Sequence, residues 1–192
     1  MAVLVLGLVI FLGMHSVRIV ADDWRTAQRA RLGEMTWKGL YSLISLVGFA
    51  LIVWGVALAR HQPVPVWQPP FALRHVAALL TLVAFVLILS AYVPGNRIRS
   101  ALQHPMLLGV QAWALAHLLA NGMLHDIVLF GAFLAWSVCC FMAARRRDRA
   151  AGVVYPAGTA GATVVAVVGG AVAWALFAFW LHGVLVGVRP FG

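Results

Sequence analysis

Histidine is the residue type that gives this 192-residue chain most scope for chemistry: there are seven, against five carboxylates. Neutral imidazole ligates haem iron, zinc and copper. Two imidazoles from facing helices of a bundle are a common way to hold haem in a membrane. An all-protein zinc site would need further nitrogen, sulfur or carboxylate ligands nearby, and few are on offer. Asp22, Asp23, Glu34 and Asp148 lie in polar connections, and Asp126 stands where it would N-cap a helix. No acidic pair falls inside an apolar run, which disfavours a carboxylate-based proton pump, ion exchanger or two-carboxylate hydrolase. H-E-x-x-H, G-x-S-x-G and the phosphate-binding P-loop are all missing. The adjacent Cys139 and Cys140 form neither a disulfide framework, nor a C-x-x-C, nor a covalent haem attachment site.

The elements that must position these histidines are apolar helices. Hydrophobic residues make up 64% of the chain and charged ones 10%, and the mean hydropathy is +0.97. A soluble domain runs nearer 45–50% and about 25%, so the expected class is an all-α, polytopic transmembrane bundle. Six apolar runs read as spans: 2–21, 39–59, 71–92, 105–122, 126–144 and 160–188. The first lacks the basic start and Ala-x-Ala site of a cleaved signal peptide, so it is read as a span. The connections are short, several are marked by proline, and no repeat or long linker divides the chain, so residues 1–192 are expected to form a single domain.

Basic residues explain the net charge of +9. Arg18, Arg25, Arg29, Arg31, Lys38, Arg97, Arg99 and the 145–149 arginines cluster by the first, third and fifth connections. Only Arg60, Arg74 and Arg189 lie by the others. The positive-inside rule then puts the odd connections in the cytoplasm and both termini in the periplasm of a multi-pass inner-membrane protein. The basic surplus has a topological cause, so no nucleic-acid partner is expected.

Five of the seven histidines sit near span ends or in connections. His15 and His117 lie deeper. At about 1.5 Å per residue, His15 is roughly 6 Å inward of the middle of its span and His117 roughly 3 Å outward of its own. The mismatch of about 9 Å is narrowed because side chains lean toward their helix N-terminus. Depth alone equally allows His15 with His104, or His117 with His75 or His182. Val110, Trp113, His117 and Asn121 recur at helical spacing and would share a stripe suited to a flat macrocycle. Beside it, Ala112, Ala116 and Ala120 form a ridge for close helix approach. Against these stands the plainer reading that His117 only hydrogen-bonds a neighbouring helix. Likewise Ser16 would bond back to a carbonyl one turn earlier, and Arg18 would reach for the interface.

Long motifs carry a family resemblance: Gly13-Met14-His15-Ser16-Val17-Arg18, Arg31-Leu32-Gly33-Glu34, Tyr41-Ser42-Leu43, the run AYVPGNRIRSALQHPMLLGVQAWALAHLLANG at 91–122, RRRDR at 145–149 and FWLHGVLVGVRPFG at 179–192. Along nearly its whole length the chain resembles the NnrU family of bacterial membrane proteins. That family is named for a regulon of nitrite and nitric oxide reduction and is distantly similar to plant 15-cis-zeta-carotene isomerase, a haem-b membrane enzyme. The resemblance implies a haem b with His15 and His117 as iron ligands; Trp113 and Asn121 on the His117 stripe, and His104, are the further candidate cofactor-binding residues. It implies a role in denitrification-linked nitric oxide metabolism or an isomerase-like reaction on a lipid-soluble substrate. Two departures bear on the isomerase: its cysteine, thought to exchange with histidine on iron, is Ala114 here, and its arginine is Gln103. The competing expectation is a non-enzymatic membrane assembly or transport partner, with no cofactor and histidines used only for packing.

Overall fold

A computed structural model describes residues 1–191. Nine α-helices follow one another among those residues: α1 (Ala2–Val20), α2 (Asp22–Leu32), α3 (Glu34–Arg60), α4 (Ala72–Tyr92), α5 (Arg97–Leu102), α6 (Pro105–Ala120), α7 (Leu124–Ala150), α8 (Ala160–Leu176) and α9 (His182–Val186), with a π-helical turn, Phe177–Leu181, joining the last two. The described residues form no β-strand. Five helical stretches are long and apolar enough to cross a membrane: α1, α3, α4, α7 and the continuous 160–186 segment. The fourth apolar run forms α6, whose 16 residues cover about 24 Å at about 1.5 Å each, short of a hydrocarbon core of about 30 Å.

The helices outgrow the apolar runs where polar residues cap them well. Residues 22–32 are helical because Asp22 and Asp23 occupy the first turn and Arg29 and Arg31 the last, each favourable to the helix dipole. Gly33, at φ 81°, then breaks the chain before α3. Asn96 caps α5 by accepting from the Arg99 amide at 2.8 Å. Pro105 opens α6, where a missing amide costs nothing. Asp126 is not the cap of α7. The helix starts at Leu124, which leaves Asp126 in the first turn, still well placed for the dipole.

Two compact units divide the chain: residues 1–69 with 121–136, and residues 70–120 with those from 137 onward. The helix α7 contributes to both.

In the first unit α1 lies against α3 along facing stripes. Leu4, Leu8, Phe11 and His15 follow one another on α1, and Tyr41, Ser45, Gly48, Ile52 and Gly55 on α3. Three glycines let the backbones meet: a Cβ on Gly55 would lie 2.4 Å from the Leu4 nitrogen, one on Gly48 2.7 Å from the Phe11 nitrogen, and one on Gly7 2.6 Å from the Ile52 nitrogen. Leu4, Leu8 and Ile52 are buried at this seam, with Val128, Leu129 and Phe133 of α7 packed against them. The 64–67 segment pairs with 122–124, Val66 donating to Gly122 at 2.9 Å and Leu124 to Val64 at 2.8 Å.

In the second unit α4 packs against α6 and α8. Gly109 meets Ile88 and Ala84, and Gly170 meets Val86. Trp174 Nε1 donates to Thr81 Oγ1 at 3.0 Å. Asn96 is fully buried and donates to the Ser90 and Val93 carbonyls at 2.8 and 2.6 Å. The outer faces of both units are strongly apolar, with Phe49, Leu79 and Val172 all more than half exposed. That surface suits a lipid solvent rather than water.

Candidate functional site

His15 stands on the α1 stripe that faces α3, so its ring points into the first unit and not into lipid. Its Nδ1 lies 2.7 Å from the carbonyl oxygen of Phe11, one turn earlier. A carbonyl only accepts, so Nδ1 carries the proton, and the neutral ring bears its lone pair on Nε2. Aromatic rings surround it: Phe11 at 4.3 Å between centroids, Tyr41 edge-on at 5.3 Å and Trp136 edge-on at 6.1 Å. Ser16 Oγ donates to the Leu12 carbonyl at 2.6 Å, the back-bond expected of it.

Two polar atoms in this unit are buried without a hydrogen-bond partner, Trp136 Nε1 and Ser45 Oγ. An unsatisfied buried donor costs about 1–3 kcal/mol. The surroundings of His15 thus combine an imidazole fixed in one tautomer with flat aromatic walls, one of which, Trp136, carries an unused Nε1–H. That combination fits an axial haem ligand, whose second nitrogen normally donates to a carbonyl, and a macrocycle with a polar substituent.

His117, on α6, repeats the local geometry in the second unit. Its Nδ1 lies 2.8 Å from the Trp113 carbonyl oxygen, which again assigns the proton to Nδ1, and the Trp113 ring is 5.2 Å away, inclined by 52°. The alanine ridge is partly realised: Ala116 is fully buried, as is Ala114 beside it, while Ala112 and Ala120 are half-buried. Because α6 ends at Ala120, Asn121 follows the helix instead of extending the Val110–Trp113–His117 stripe, and it belongs to the first unit. His15 belongs to the first unit and His117 to the second.

His104 has a different setting. Its Nε2 lies 2.8 Å from Asp148 Oδ2, and the same oxygen accepts from the Tyr155 hydroxyl at 2.6 Å. Rings of Phe141 and Tyr155 meet the imidazole edge-on at 6.2 and 6.3 Å. Burial, and then the hydrogen bond to the Asp148 carboxylate, raise the Tyr155 phenol above its ordinary range. Gln103, just before, accepts through Oε1 from Arg145. The sequence alone does not join these groups, since His104 and Asp148 are 44 positions apart.

The remaining histidines have structural partners or open surroundings. His125 is buried, 5% exposed, in the first turn of α7, with Nε2 3.6 Å from Asp126 Oδ1. His182 Nδ1 donates to the Val188 carbonyl at 2.6 Å, and His61 and His75 are exposed. No group of three or more His, Cys, Asp and Glu side chains converges among the described residues. Sequence reasoning missed the aromatic cage of His15. Tyr41 was visible only as part of a motif, and Trp136 lies in an apolar run where nothing distinguishes it from lipid-facing aromatics.

The sequence model of the NnrU protein family matches residues 3–190. No curated protein and no solved structure matches the chain.

Proposed function

We propose that this chain, which belongs to the NnrU family, is an inner-membrane protein in which His15 and His117 would hold a haem b, acting in denitrification-linked nitric oxide metabolism. The observation that carries this reading is the shared anchoring of the two rings. Each donates Nδ1–H to the carbonyl four residues earlier, at 2.7 and 2.8 Å, which sets the same tautomer in both rings. Such an anchor fixes the tautomer and makes the ring a stronger base toward a metal.

A haem held by both imidazoles would supply redox chemistry, and its iron would open to nitric oxide only once one imidazole left it. The chain does the rest. Phe11, Tyr41 and Trp136 orient the His15 ring and keep water from it. Trp136 Nε1 and Ser45 Oγ are suited to hydrogen-bond a polar edge of the bound group. His104 is assigned to the Asp148–Tyr155 cluster rather than to iron, because its Nε2 already meets a carboxylate. An isomerase-like reaction through exchange of cysteine and histidine ligands is disfavoured. The relevant position is the fully buried Ala114, which has no thiol to offer. The arginine asymmetry supports periplasmic termini and a cytoplasmic basic face.

The test is haem stoichiometry after expression with added haem precursor. About one pyridine-extractable haem b per chain is expected. A preparation with none would favour the cofactor-free assembly partner.

A further inference from the structure

At the arginine-rich end of the second unit lies a cleft of about 460 Å³ between the C-terminal turns of α7 and the 101–108 region. Its walls are of two kinds. Arg145 and Arg146, with Arg149 one helical turn further along α7, bring three guanidinium groups, and Leu102, Phe141 and Met142 bring apolar surface. Among the described residues no carboxylate lies within 4.0 Å of any of these three guanidiniums. The one acid nearby in sequence, Asp148, turns its oxygen to His104 and Tyr155 instead. Arg145 is held by Gln103 Oε1 and lies 6.0 Å from the centre of the Phe141 ring, so it is positioned without being neutralised.

Three uncompensated positive charges repel one another, and a chain selected only for topology has no reason to line them along one cleft. A small soluble anion would use the charges and leave the apolar wall idle. That wall reaches the lipid-facing surface, with Leu102 36% and Met142 45% exposed. Arginine matches phosphate oxygens with paired N–H donors, and basic pockets at the cytoplasmic ends of spans hold anionic headgroups. We infer that this cleft binds an anionic phospholipid, its headgroup phosphate on Arg145, Arg146 and Arg149 and an acyl chain along Leu102, Phe141 and Met142.

The test uses the full chain in neutral detergent, titrated with phosphatidylglycerol, phosphatidylcholine or inorganic phosphate, and reads bound lipid by native mass spectrometry. Phosphatidylglycerol is expected to bind about tenfold more tightly than phosphatidylcholine, and equimolar inorganic phosphate to leave it bound. R146Q/R149Q, at two exposed positions whose change spares the fold, should remove the preference. R146K/R149K should keep most of it, and R29Q/R31Q on α2 should leave it intact. An unchanged preference in R146Q/R149Q would overturn the assignment, as would equal loss in R29Q/R31Q. Displacement by inorganic phosphate would replace the lipid with a free-anion site and overturn it as well.

Discussion

At the scale of single residues, the paired tautomers of His15 and His117 matter because a ring that donates from Nδ1 to its own helix is held in one orientation. The cage around His15 makes a prediction separate from haem. Trp136→Phe removes an unsatisfied buried N–H while keeping an aromatic ring, so the haem-free protein should melt at the same temperature or higher in detergent. A loss of more than about 2 kcal/mol would mean that Nε1 has a partner after all. Tyr155 gives a pH prediction. Its pKa is raised in the folded chain, so the neutral phenol is favoured by folding. Its contribution to stability is therefore fully present below the ordinary tyrosine value of about 10 and is lost as pH rises through the higher folded value. Absorbance titration of tyrosinate should show a late step that Tyr155→Phe removes. The placing of His15 and His117 within apolar helices was legible in the sequence, since polar residues stand out in apolar runs. The Asp148–Tyr155 partnership of His104 was not, because it joins residues separated by a whole helix.

At the scale of elements, α1 and α3 are held backbone to backbone through glycine. Gly55→Ala would place a methyl 2.4 Å from the Leu4 nitrogen, and neither helix backbone can move without opening the Leu4–Leu8–Ile52 seam. Overpacking of that kind costs about 1–3 kcal/mol. Gly39→Ala, on the same helix with nothing within 4 Å of the added carbon, should instead stabilise by about 0.5–1 kcal/mol. Thermal melts of the two variants in one detergent check the contrast; equal effects would deny the close approach. The apolar runs located the long helices well, because twenty or so apolar residues have few other ways to satisfy their backbone. They missed α2 and α5, which are polar, have no buried residue and so form no apolar run. The run at 105–122 is where the shorter apolar helix α6 forms, with 16 residues ending at Ala120.

At the scale of the whole molecule, composition alone settled that the chain works in lipid, and the exposed apolar faces of both units carry the same message. The orientation proposed from the arginines is open to direct labelling. In a C139S/C140S background, Arg149→Cys should react with a membrane-impermeant maleimide only after the cells are opened, whereas Gln62→Cys should react in cells with a permeabilised outer membrane alone. The reverse pattern would invert the topology. The haem reading is tested most directly by absorption spectra of the detergent-purified protein, oxidised and dithionite-reduced, beside H15A and H117A. A Soret band with a sharp reduced α-band in the wild type, and haem content reduced about tenfold or more in each variant, is the expected result. A wild type that stays colourless after haem supplementation, or variants as fully loaded as the wild type, would contradict it.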